Sequence, residues 1–119
     1  MRGSRLLVVI AVAALGCGDA GLCDNSSPVE IASPDRELVA WIFIRGCGAT
    51  VGDSVQVSIL PAGSAPPDDA GNTFIMEKRG GVRVDWTADR ELQISHAPAN
   101  PISKRETEVA GVKVSYEVE

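Results

Sequence analysis

The last eight residues of the chain alternate without a break. Val112, Val114, Tyr116 and Val118 are separated by Lys113, Ser115, Glu117 and Glu119. A period of two puts one set of side chains on a buried face of a strand and the other in water. The same period runs through residues 54–59, with Val55, Val57 and Ile59 on one side and Gln56 and Ser58 on the other. It returns at Val82, Val84 and Trp86, and again at Leu92 and Ile94. Residues 38–44 are apolar on both faces and rich in β-branched and aromatic types, which predicts a central strand covered on both sides. Phe74 and Met76 mark a shorter strand over residues 72–77. No ten-residue stretch follows a helical period. The chain is therefore predicted to be all-β: a small, mostly antiparallel meander of about six strands, as a blade-like sheet or a small sandwich. Strands this few and short exclude a transmembrane barrel.

The punctuation agrees with that class. Pro34 stands at the second position of a turn over residues 33–37. Residues 61–71 hold three prolines, two aspartates and two glycines and read as a loop. Further turns are expected at residues 79–81, 87–90 and 96–101, and Gly111 suggests a bulge or bend. Trp41, Phe43, Phe74 and Trp86 are expected to pack together on one face. A chain of 119 residues holds one core, and 45% apolar against 23% charged residues excludes a disordered chain.

The first twenty residues read as an address. Arg2 and Arg5 precede ten uninterrupted apolar residues, 6–15, followed by Gly16, Cys17 and Gly18. A positive start, a short apolar run and a small-residue exit form a signal peptide over residues 1–16. Ten apolar residues make only about 15 Å of helix, too short to span a bilayer core. Ala14-Leu15-Gly16-Cys17 resembles the lipobox of bacterial lipoproteins, in which the cysteine becomes lipidated; ordinary cleavage at the same site or after Ala13 is the competing reading. Several acyl chains on Cys17 would anchor firmly where one would not. The resemblance implies outer-membrane sorting, because Gly18 rather than an aspartate follows the cysteine.

Cysteine arithmetic fits the lipid. An exported chain meets an oxidising compartment, and three cysteines are an odd number. With Cys17 lipidated, Cys23 and Cys47 remain as a disulfide pair. The bridge would close a loop of about 25 residues, roughly 3.5 kcal/mol by the chain-entropy estimate. Residues 17–32, rich in Gly, Asp, Asn, Ser and Pro, read as a lipidated tether, and residues 33–119 as the single all-β domain.

No chemistry-bearing constellation stands out. The formal net charge is −5, and without Arg2 and Arg5 nine basic residues face sixteen acidic ones, a net of −7. Lys78, Arg79, Arg83, Lys104 and Arg105 are the only basic groupings, which argues against a nucleic-acid partner. Asp68, Asp69, Asp85, Asp89, Glu91, Glu106 and Glu108 read as solvated acids, without the spacing of a calcium loop. His96 reads as a surface histidine. Two distant cysteines and one histidine do not make a metal site. No catalytic motif, metal or cofactor is expected, and the chain is read as a non-enzyme. The one unusual loop, Arg45-Gly46-Cys47-Gly48-Ala49-Thr50, has amides that could hold an anion, with Arg45, Gly46, Gly48 and Thr50 as a possible binding loop.

Two groups of segments carry a resemblance. The first comprises Ser33-Pro34-Asp35, residues 38–45, Cys47-Gly48-Ala49-Thr50 and residues 56–60. The second comprises residues 72–75, 82–86 and 89–94. Together they resemble an uncharacterised family of small bacterial secreted proteins and lipoproteins with a Ser-Pro-Asp-Gly turn, an Arg-x-Cys-Gly-Ala-Thr motif and a Gln-Val-Ser-Ile strand. This chain departs at Arg36, where that family has glycine. Ser33-Pro34-Asp35 and the Trp86, Asp89, Leu92, Ile94 spacing are also similar to blade strands of β-propellers, although a closed propeller needs four or more blades. The family is one of unknown function, so it implies no activity. The expectation is a bacterial cell-envelope lipoprotein at the periplasmic face of the outer membrane. It would be a noncatalytic binding or interaction module, with the membrane and an envelope protein as partners. The alternative is a soluble periplasmic or secreted ligand-binding or inhibitor domain.

Overall fold

Each period-2 segment forms a strand, and three further strands join them. The computed structural model describes residues 23–48 and 52–119. Among them run β1 (Asp24–Ala32), β2 (Leu38–Gly46), β3 (Asp53–Pro61), β4 (Phe74–Glu77), β5 (Val82–Ala88), β6 (Glu91–His96), β7 (Ile102–Arg105), β8 (Glu108–Val109) and β9 (Val112–Val118). The described residues are all-β. They form two sheets, ordered β1-β2-β3-β4-β7 and β5-β6-β9-β8. The first four strands make the expected antiparallel meander. The later strands depart from it: β7 returns to pair with β4, and β6 pairs with β9 in parallel. No helix among the described residues is long and apolar enough to cross a membrane.

The two sheets face each other as a sandwich rather than a single blade. Ala40, Val55, Val57, Ile59, Phe74 and Met76 from the first sheet meet Val84, Leu92, Ile94, Val112 and Val114 from the second. These are the faces that alternation assigned to the core in β3, β5, β6 and β9. Burying each large apolar side chain contributes about 1.5–3 kcal/mol. Trp86 closes one edge, its indole donating to the Ile31 carbonyl across the sandwich at 2.9 Å.

The four aromatics do not pack together as expected. Phe74 lies in the inter-sheet core, while Trp41 and Phe43 form a second cluster with Val39. Register explains the split. Trp41 pairs with Ser58 and Phe43 with Gln56, so both aromatics share the outward side of β3. That outer face is covered by the loop after β3, residues 62–70, which we term the strap. Trp41 Nε1 donates to Ser64 Oγ at 3.4 Å, and Gln56 and Ser58 side chains accept from the amides of Gly71 and Asn72 where the strap ends. The strand predicted to be covered on both faces is β2, and the strap is its second cover.

Residues 24–32, expected within the tether, form β1 instead. Its composition hides it: Ser27 has a left-handed φ of 53°, and the register with β2 shifts between Ser26 and Val29. Pairing with β2 supplies the order that propensity does not. Pro28 and the bulge also blunt this edge strand against unwanted pairing. The Cys23–Cys47 disulfide forms as expected and closes the open end of the β1–β2 hairpin, one residue beyond the Asp24–Gly46 pair. The tip at Gly111 is a two-residue turn, with Ala110 and Gly111 both at positive φ between the paired Val109 and Val112.

The β1–β2 turn is built as its residues predict. Arg36 N–H donates to Ser33 O at 2.9 Å, with Pro34 at the second position. Ser33 Oγ donates to Asp35 Oδ1 at 2.7 Å and accepts from the Leu38 amide at 3.2 Å. The Ser33 hydroxyl, the Glu37 amide and the Arg90 guanidinium hold the Asp35 carboxyl below its usual range. Arg36 sits at φ 61°, a region that suits glycine. Arg36→Gly is therefore expected to stabilise the domain by about 0.5–1 kcal/mol, the relieved strain exceeding the added chain entropy. A higher midpoint in thermal or urea unfolding checks this.

Candidate functional site

Of the loop predicted from sequence, Arg45, Gly46 and Gly48 lie among the described residues. Arg45, at the end of β2, donates from Nη1 to Asn25 Oδ1 at 2.8 Å and to the Asp68 carbonyl at 3.4 Å. Its guanidinium is turned onto the strap. A Cβ on Gly46 would stand 2.8 Å from Asp53 Oδ1, so the carboxylate would have to swing aside to admit one. Asp53 in turn pairs with Arg79 at 2.8 Å. Gly48 is exposed at φ 109°. Thr50, like Cys17 and residues 1–16, lies outside the described residues.

At the opposite end of the sandwich, on the outer side of the second sheet, is a groove of about 580 Å³. Thr87, Glu91, Thr107, Glu108, Lys113, Val114 and Ser115 line it. Parallel pairing puts Lys113 beside Glu91, and antiparallel pairing puts it beside Glu108. The floor is thus a row of charges across three strands, acid–base–acid. Lys113 N–H donates to Arg90 O, and Val114 N–H donates to Thr107 O, both at 2.9 Å, which fixes the groove walls. Three hydroxyls beside this row can bind a polar ligand by hydrogen bonds and charge. All three charged side chains are exposed.

From the sequence, Glu91 and Glu108 read as solvated acids. They are exposed, as expected, but the β6–β9 and β8–β9 pairings together bring them to one row. Asp68 and Asp69 are exposed strap residues, and Asp85 is exposed beside Arg83 at 3.3 Å. Among the described residues no three His, Cys, Asp or Glu side chains gather as a metal site.

His96 corrects the surface assignment: it is 5% exposed. It continues the inward parity of Leu92 and Ile94, and its ring stacks on Phe74 at 5.4 Å. Nδ1 lies 2.9 Å from the Ala97 carbonyl, which can only accept, so this nitrogen carries the proton. Nε2 is buried without a hydrogen-bond partner among the described residues. The parity of Leu92, Ile94 and His96 was the available signal; a polar residue type outweighed it.

Tyr116 also packs against this core ring, 5.6 Å from Phe74, and its hydroxyl donates to the Glu106 carbonyl at 2.6 Å. Burial pushes its phenol up to about 12, against the opposing pull of the Arg105 guanidinium 4.3 Å from the ring. Tyr116 is the chain's one tyrosine, so its ultraviolet difference absorbance reports a single group. Half-ionisation is expected near 12, against about 10 for a free phenol. A raised pKa favours the neutral folded form. Its stabilisation is complete below about pH 10 and is lost as pH rises toward about 12, about 1–2 kcal/mol after screening at a half-buried ring. Tyr116→Phe should abolish that alkaline step in a stability–pH curve.

No family model, curated protein or solved structure matches the chain at a significant level.

Proposed function

We propose that this chain is an exported bacterial cell-envelope lipoprotein that serves as a noncatalytic binding or interaction module. One observation carries the reading. Cys23 and Cys47 pair with each other, which leaves Cys17 without an intramolecular partner among three cysteines. That third cysteine directly follows the small residue that ends the apolar leader. A lipid thioether would use it and remove a free thiol from an oxidising compartment. The resemblance to small bacterial secreted proteins and lipoproteins belongs to the same proposal.

The geometry gives the reading a direction. The stretch from Cys17 to Cys23 reaches at most about 20 Å. A lipid on Cys17 would keep the disulfide end of the sandwich near the membrane. The groove of Glu91, Lys113 and Glu108 would then face away, open to an envelope partner or a polar ligand.

Intact mass of the mature protein from its native host, measured with and without reduction, tests this. A chain beginning at Cys17 with acyl mass added, gaining about 2 Da on reduction for one bridge, is the expected result. An unacylated chain would overturn anchoring and favour a soluble secreted binding domain.

A further inference from the structure

The strap is secured differently along its length. Its start is held by backbone: Ala62 N–H donates to Glu37 O at 3.0 Å, and Ser64 N–H to Pro61 O at 3.2 Å. Its end is rigid. Gly71 N–H donates to the buried Gln56 Oε1, its carbonyl accepts from Lys104 Nζ, and a Cβ on Gly71 would stand 2.8 Å from Val57 O. The middle is held by a single pair of side chains among the described residues. Among the described residues, Asn25 and Arg45 alone hydrogen-bond residues 66–70. Asn25 Nδ2 donates to Pro67 O and Asp69 O, each at 2.9 Å, and Arg45 Nη1 reaches Asp68 O at 3.4 Å. Arg45 also orients Asn25 through its Oδ1.

Those two residues face each other in the β1–β2 ladder, two positions in from the disulfide. Their segment is weakly held otherwise. Residues 24–26 pair with β2 over three positions before the register breaks, and among the described residues β1 is an edge strand with no neighbour on its far side. The covalent bridge is what closes this short run. Both cysteines are partly buried at the end of the hairpin, where neither is sealed in the core.

We propose that the Cys23–Cys47 disulfide is the pin of a redox latch. With the bridge intact, Asn25 and Arg45 hold the strap over Val39, Trp41 and Phe43. With the bridge reduced, residues 23–26 separate from β2, the strap loses its middle attachment, and that apolar face is uncovered. The reductant is a dithiol. One thiolate attacks a bridge sulfur, the S–S bond breaks, and a mixed disulfide forms. The second thiol then displaces the protein sulfur. Two electrons and two protons pass to the protein as two thiols, and the dithiol leaves as its own disulfide. The inference stands on the hydrogen bonds and the edge position, independently of lipid on Cys17.

The two tryptophans report it separately. Trp41 lies under the strap, while Trp86 closes the sandwich edge. Full-length chain carrying fluorotryptophan, assigned with Trp86→Phe, is followed by fluorine NMR in light and heavy water before and after treatment with a small dithiol. Reduction is expected to raise the open fraction at Trp41 about tenfold or more, read as a larger solvent isotope shift, with Trp86 unmoved. Asn25→Ala in the oxidised protein should reproduce the Trp41 change with the bridge intact. Movement of both resonances would mean general loosening, and movement of neither would mean a strap indifferent to the bridge; either overturns the latch. An unmoved Trp41 in oxidised Asn25→Ala overturns it as well.

Discussion

Phe74→Ala is expected to cost about 3–5 kcal/mol of stability. The ring is fully buried and is the one described aromatic of the first sheet that touches aromatic groups of the second. It lies 5.4 Å from the His96 ring and 5.6 Å from Tyr116. Removing it deletes buried apolar surface and leaves space beside an imidazole nitrogen that already lacks a partner. Since a domain of this size has a total stability of about 5–15 kcal/mol, a large part of it rests on this side chain. Urea unfolding should show a midpoint shift of that order. Phe74→Leu, which keeps much of the volume, should cost less than about 2 kcal/mol. The Tyr116 phenol supplies a local check. Losing the ring that helps bury it should bring its titration from about 12 back toward the ordinary value. An unchanged titration would show that Phe74 does not shield the phenol.

Replacing Cys23 and Cys47 together by serine is expected to lower stability by about 3–4 kcal/mol. The bridge restrains the unfolded chain over about 25 residues, and in the folded state it closes a hairpin whose outer strand has one neighbour. Urea unfolding of the double variant against the oxidised parent measures the loss. The core should survive it. Neither cysteine belongs to the inter-sheet cluster, and β3, β6 and β9 keep all their partners. A loss below about 1 kcal/mol would show that the bridge constrains the unfolded chain far less than loop entropy requires.

Much of the core was legible in residue order. Val55, Val57 and Ile59 in β3, and Val112, Val114 and Tyr116 in β9, point inward as alternation requires. Ser33-Pro34-Asp35 makes the turn its chemistry dictates, with Arg36 in the left-handed φ that closes it. The candidate site was less legible. Arg45 and Gly46 stood out because Gly-rich loops can bind anions, yet their partners are Asn25, the strap and Asp53. The groove went unseen because Glu91 and Glu108 reach Lys113 through two different strand pairings, one of them parallel.

Strand identity, the inward parity of alternating segments, the turn at Pro34 and the pairing of two cysteines left by a third are local or countable properties. A period of two or a cysteine count expresses them without knowledge of the rest of the chain. Tertiary structure alone decided which face of an apolar strand meets which cover. Residues 38–44 are apolar on both sides, so alternation could not send Trp41 and Phe43 outward beneath the strap and Phe74 inward between the sheets. Nor could composition reveal β1, whose Ser and Pro residues have little strand propensity and are ordered by pairing with β2 and by the bridge. Such choices depend on contacts between residues distant in sequence. Their free energy exists only once loops have closed and both partners are in place.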